Sequence, residues 1–454
     1  MTDVPEAPLA PDAATGRPTA ILPKRELLRI SLYWLGLSSI FAGLNTIMTG
    51  RLEFTGLVDK GDAGRALFLI SISGAIIAVI IQPTIGSISD YTISRWGRRK
   101  PYILIGSVLD LVFLIGIASS NNLIAIAAFI ALLQFSSNFA QGPFQGYVPD
   151  LVPGEQVGTA SALVGLMQVL GNVAGFVIGA LATATHSYAL GLVALGVLEL
   201  ATMLSVVIRV REGPPAKSRG GRSWRAIAAE AWGTDILRER SFLWLVASRL
   251  AILMGGATLV QLATFYLARS MSLGEREAGL VLIPLVGLVA LGTVVSVVPS
   301  ARISDRVGRK PVIWVSCAIG AVGLAVVASA PGLPIAYIGA LLYGVSAGIF
   351  LAVDWALMTD IIPKSSSGRY MGLSNVATAS AGVLAIAIGG TLMDVVGGPN
   401  ADGSGPRAAL WLGVVLLAIG AVLLWPVDER RREEGDAPLP EPVVESSVSP
   451  EPAV

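Results

Sequence analysis

The sequence predicts an all-α polytopic membrane protein, with twelve transmembrane helices in two pseudo-symmetric six-helix halves. Three observations predict it. Of 454 residues, 54% are hydrophobic and only 14% charged, where a soluble domain carries about 25% charged residues. Apolar runs of roughly 20 residues, enough to cross about 30 Å of hydrocarbon, recur along the chain. Charged motifs in the first half of the sequence return, in order, in the second.

The apolar runs place the first six spans at Ile30–Thr49, Leu67–Ile88, Tyr102–Ser119, Leu123–Gln145, Thr159–Ala182 and Tyr188–Ile208. An Arg-rich polar segment follows. The second six are Phe242–Leu267, Ala278–Pro299, Val312–Ala330, Pro334–Met358, Met371–Val396 and Ala408–Pro426. The expected organisation is an N-terminal segment 1–28, a six-helix bundle 29–210, a linker 211–240, a second bundle 241–427 and a Pro/Glu/Ser-rich disordered tail 428–454. Lys and Arg concentrate in alternate loops, which puts both termini and the linker on the cytoplasmic side of a cell membrane. The first 25 residues lack an apolar core, so the first span itself is the expected insertion signal.

Several function classes are excluded. Cys317 is the only cysteine and His186 the only histidine, so neither a disulfide framework nor a metal site is expected. The net charge of +1 gives no footprint for nucleic acid. There is no phosphate-binding glycine loop and no nucleophile–base pair, so the chain reads as a non-enzyme without cofactors.

The repeats carry the functional signal. SDYTISRWGRRKP (Ser89 to Pro101) follows span 2, and SDRVGRKP (Ser304 to Pro311) follows span 8. PDLVPGEQVGTASALVG (from Pro149) follows span 4, and TDIIPKSSSGRYMGLSN (from Thr359) follows span 10, matching Asp150 to Asp360. Duplicated halves enclosing a midplane site are a transporter architecture. SDRVGRKP resembles the loop 2–3/8–9 signature of the major facilitator superfamily. The longer copy is similar to the extended loop of the sucrose transporters and the glycoside–cation symporter group. That resemblance implies alternating access, with spans 1, 4, 7 and 10 around a cavity, and a sugar moved with a cation. The acids that sodium-coupled members keep in spans 1, 2 and 4 are missing here, which favours protons. The loops themselves (Asp90, Arg95, Gly97, Arg98, Arg99, Lys100 and Asp150; Asp305, Arg306, Gly308, Arg309, Lys310 and Asp360) are expected to latch the halves together in the outward-facing state.

Polar residues within the spans supply candidate ligands. Span 4 sets Gln134, Asn138, Gln141 and Gln145 on one helical face. Span 1 offers Trp34, Ser38 and Asn45, span 7 Thr258 and Gln261, and span 10 Tyr343, Asp354 and Trp355. Amides donate and accept, and aromatic faces stack on sugar rings, so such stripes suit a polyhydroxylated solute. Any single Gln or Ser is better explained as glue between helices. The span 4 stripe as a unit is better explained as cavity lining, since four amides on one face exceed what packing asks.

Ionisable residues at depth are costly and are candidates for coupling. Arg249 and Asp354 both sit about 10 Å deep at 1.5 Å per residue, and are expected to pair. Asp110 and Glu199 lie near mid-membrane, Asp110 being favoured as proton carrier and Glu199 as a fixed neutral acid. Gly171, Gly175 and Gly179 in span 5 suggest a sliding interface between halves. The leading expectation is a monomeric proton–sugar symporter in a lipid bilayer. A proton-coupled exporter of a drug or metabolite, or a non-transporting sensor, is the alternative.

Overall fold

A computed structural model describes residues 18–210, 221, 223–224, 240–361, 378 and 380–427. Most of the expected linker, and all of the expected tail, lie outside them. Among the described residues, twelve helices are long and apolar enough to cross a membrane. They are α1 Lys24–Phe54, α2 Lys60–Ser89, α3 Lys100–Ser119, α4 Leu123–Leu151, α5 Gly154–Ala184 and α6 Tyr188–Arg209. Then come α7 Arg240–Ser270, α8 Glu275–Val307, α9 Arg309–Ser329, α10 Leu333–Met358, α11 Ser380–Gly397 and α12 Ser404–Leu423.

The halves repeat one packing scheme. In the first, α1 packs on α5 and α6, α2 on α4, and α3 on α4 and α6; in the second, α7 packs on α11 and α12, α8 on α10, and α9 on α10 and α12. One apolar cluster lies within the first half, one almost wholly within the second, and a third runs across both; α5–α8, α2–α11 and α1–α7 join the halves.

The sequence placed span 8 too short. α8 runs through Pro299, which carries Asp305 and Arg306 into its last turn rather than a loop. Loss of a proline's hydrogen bond is tolerated in such helices because neighbours and hydroxyls re-satisfy the backbone. The repeated loop motif is also a repeated turn. Gly97 and Gly308 both adopt positive φ, 101° and 95°, a conformation that any side chain would strain. That explains why each copy places a glycine just before its basic residues.

The span 5 glycines overturn an expectation. A Cβ at Gly171 would lie 2.3 Å from the Leu35 carbonyl, one at Gly175 2.3 Å from the Ser39 carbonyl, and one at Gly179 2.6 Å from Thr46 Cβ. All three partners are on α1, so these glycines seat α1 within its own half. Close approach between halves falls to Gly279 of α8, where a Cβ would lie 2.5 Å from the Ala180 carbonyl, and to Gly64 of α2, where one would lie 2.2 Å from that of Gly390.

Gly175→Ala should therefore overpack the α1–α5 seam, costing on the order of 1–3 kcal/mol. The unfolding temperature of the purified protein should fall, while Gly165→Ala, with open space at its Cβ position, should leave it unchanged.

Candidate functional site

Among the described residues, the bonds that join the halves gather at the end away from the basic loops. Arg269 of α7 donates to Glu53 of α1 at 2.7 and 2.9 Å, and both side chains are buried. Asp394 of α11 accepts from the backbone N–H groups of Gly64 and Arg65 at 3.1 and 2.8 Å. A carboxylate from one half thus caps the first turn of a helix in the other, where exposed N–H groups and the helix dipole favour an anion. Glu275 of α8 meets His186 Nδ1 at 2.7 Å and the Tyr188 hydroxyl at 2.5 Å. Deeper in, Thr49 donates to Thr264 at 3.0 Å, and Asn45 reaches the Gln261 carbonyl at 3.5 Å.

Below this seal lies a cavity of about 520 Å³ that faces the basic end. Its N-terminal wall carries Trp34, Gln82, Gln141, Gln145 and Gln168, and its C-terminal wall Arg249, Tyr343, Phe350 and Asp354. Arg249 Nη1 lies 2.8 Å from Asp354 Oδ2, each side chain only 4% exposed. One wall is therefore amide and aromatic, the other an ion pair framed by aromatics. Between cavity and seal sits a pocket of about 200 Å³, lined by Phe41, Asn45, Ser71, Gln134 and Gln261 among others. Gln134 Oε1 is buried there without a hydrogen-bond partner among the described residues.

The span 4 stripe thus divides. Gln141 and Gln145 face the large cavity and Gln134 the small pocket. Asn138 folds its amide back onto the Gln134 carbonyl at 2.7 Å and is buried away from both. Ser38 sits in the seam against Gly171, and Thr258, fully buried, donates to Gly255 O at 2.7 Å. These three line neither cavity. Short hydroxyls and amides satisfy themselves on their own helix when no ligand is opposite. Gln82 and Gln168 were missed because each is a single amide in an otherwise apolar run. The side chains of Trp355 and Asp360 lie outside the described residues.

Among the described residues, Arg98, Arg99 and Arg309 form ion pairs that stay within one half in this conformation. Arg98 bonds to Asp150, and Arg99 lies 2.9 Å from Asp90, 2.8 Å from Asp150 and 2.7 Å from the Pro143 carbonyl. All belong to the first half, where they staple the 2–3 loop to α4. In the second half Arg309 pairs with Asp305 at 2.6 Å, and Lys310 donates to the Trp425 and Val427 carbonyls at 3.0 and 2.8 Å. Arg95 and Arg306 are exposed, and Lys100 opens α3. Asp110 and Glu199 are fully buried within the first half and line neither cavity.

Removing one partner of the buried pair, Arg249→Ala, leaves an uncompensated charge and should cost about 3–5 kcal/mol. Thermal unfolding should show that loss, and Asp354→Asn added to it should recover part of the stability.

The sequence profile of the Major Facilitator Superfamily matches residues 28–386 and 264–452. Over 133 residues the chain is 32% identical to a sucrose transport protein of Arabidopsis thaliana, covering 24% of this chain and 22% of that protein. A membrane-associated transporter protein of Homo sapiens is 30% identical over 125 residues, 23% of each. The chain thus matches less than a quarter of these relatives' length. Among solved structures, a bacterial homologue of the lysosomal transporter Spinster gives a TM-score of 0.69 at 14% identity, covering 88% of this chain and 96% of that one. A D-xylose–proton symporter gives 0.67 at 15% identity, covering 88% and 98%. These likenesses establish the fold.

Proposed function

Because the chain belongs to the Major Facilitator Superfamily, we propose that it is a secondary active transporter carrying a sugar or glycoside together with protons by alternating access. The observation that carries this is the amide-lined cavity, open towards the basic end and sealed between the halves at the other. Positive-inside bias makes the basic end cytoplasmic, with both termini there, so the conformation is inward-facing. The setting is a cell membrane and the working unit a monomer.

The wall chemistry supports a hydrophilic solute. Four glutamines on one side offer paired donors and acceptors, and Trp34 and Tyr343 offer flat faces for a sugar ring. The extended 2–3 loop and the sucrose transport relatives favour a glycoside within that class. An exporter of apolar compounds would leave these amides unsatisfied on binding, which disfavours the alternative.

Coupling falls to the buried ionisable groups. Asp354 pairs with Arg249 at the cavity wall, where a ligand hydroxyl or a proton can displace one partner. Asp110 and Glu199 lie beyond the wall and act at a distance.

The test is uptake into proteoliposomes over a sugar panel, with and without an inward proton gradient. Gradient-driven accumulation of a disaccharide is the expected result. Failure with every sugar, together with proton-linked efflux of an apolar dye, would overturn the proposal.

A further inference from the structure

Four helices of the first half bring six polar side chains together in an apolar core. Asp110 and Ser107 come from α3, Glu199 from α6, Tyr33 from α1, and Ser136 and Ser137 from α4; none is more than 1% exposed. The sequence identifies both acids as buried but gives no sign that they meet. Their hydrogen bonds can be assigned atom by atom. Asp110 Oδ1 accepts from the Ser136 hydroxyl, and Oδ2 from that of Ser137 at 2.8 Å. Tyr33 donates to Glu199 Oε1 at 2.9 Å, which leaves Ser107 to donate to the Tyr33 oxygen at 2.5 Å. Glu199 Oε2 has no partner among the described residues, although the Asp110 carboxyl lies alongside. No Lys or Arg among those residues acts on either acid.

Two ionised carboxylates side by side, desolvated and without a cation, are untenable; such a pair keeps one proton between them. The donor inventory says where it rests. Asp110 already receives two hydroxyl donors and behaves as the acceptor. Glu199 Oε2 is the one oxygen lacking a partner, so the O–H bond forms there and points towards Asp110.

We infer that Asp110, Glu199 and Tyr33 form a proton-binding site in the core of the N-terminal half, with one proton shared by the two carboxyls, and that consecutive residues of α1 tie its occupancy to the cavity. The second part rests on the proton–solute reading above; the first does not.

The tie is the Tyr33–Trp34 step. Tyr33 faces the acids and Trp34 lines the cavity. Phe144 touches both, with ring centroids 4.8 Å from Tyr33 and 5.8 Å from Trp34. α1 also seats hard on α6 at the acid, since a Cβ at Gly36 would lie 2.7 Å from Glu199 Cα. A sugar pressing on Trp34 shifts Tyr33 and withdraws its hydroxyl from Glu199. The carboxylate form loses a donor, and the protonated form is favoured. By linkage, protonation then favours sugar binding in equal measure, which is the sign a symporter needs. The proton comes from water when α1 parts from α6, and returns to water by breaking the same O–H bond.

Infrared difference spectroscopy on the purified, lipid-reconstituted protein tests this by the C=O stretch of protonated carboxyls. The wild type should show a band that E199Q removes, because the glutamine amide donates to an ionised Asp110. D110N should shift the band's frequency by removing its acceptor, and supports the assignment even if E199Q fails to fold. Y33F should keep the band but lose the change that sucrose produces in it. D354N should leave the band as it is. A band intact in E199Q and unshifted in D110N would overturn the site, and independent additive losses in the two variants would overturn sharing. If a sugar that the proteoliposomes accumulate leaves the wild-type band unaltered while E199Q still removes it, the tie to the cavity is overturned and the proton site stands; if no sugar is accumulated, the solute reading fails and the proton site still stands.

Discussion

The buried ion pair between Arg269 and Glu53 is the constraint on which the remaining geometry depends. It ties α7 to α1 at one end of the molecule, with both side chains almost wholly removed from solvent. Asp394 capping α2 and Glu275 bound by His186 and Tyr188 extend the tie to the other two contacts between halves. Because all three fastenings are at one end, the cavity between the halves has one mouth. A buried pair whose partners belong to separable bodies is also suited to breaking, since water can solvate both charges once the bodies part. Its desolvation cost offsets much of its Coulombic gain, so the closed end need not be much more stable than the open one.

Rigidity within each half is the complement of that movable seal. α1 sinks into α5 through three glycines and into α6 through Gly36, and the Arg98/Arg99/Asp90/Asp150 cluster staples the 2–3 loop onto α4. Motion is then channelled into the contacts between halves, where Gly64 and Gly279 allow backbones to meet. The walls also divide the chemistry. The first half supplies amides and, behind them, the carboxyl pair, while the second supplies the Arg249–Asp354 pair. Charge and hydrogen bonding thus approach a solute from opposite bodies, so its binding can report on their separation.

The sequence made the twelve spans and the duplication legible, because both depend on composition and on short motifs with a fixed turn, as the positive φ at Gly97 and Gly308 shows. Depth was legible too: equal distance from the span ends is enough to pair Arg249 with Asp354. Azimuth was not. Whether Asn138, Ser38 or Thr258 faces a cavity or a neighbouring helix depends on helix rotation, which an apolar stretch with few polar markers does not encode. The meeting of Asp110 with Glu199, and of Glu53 with Arg269, joins positions far apart in sequence whose residue types carry no pairing signal. The glycine series in span 5 was misassigned for the same reason, since small residues mark close approach but not the partner.

Transport by this architecture requires the two ends to open in alternation, which paired spin labels measure. With Cys317 replaced by alanine, one pair at Gly158 and Arg302 would report on the basic end, and another at Asn121 and Pro331 on the sealed end. All four positions lie outside the fastenings described. As substrate and pH shift the conformations, the first distance should shorten in the same population in which the second lengthens. Distances that stay fixed at both ends, or that lengthen together, would rule out such alternation.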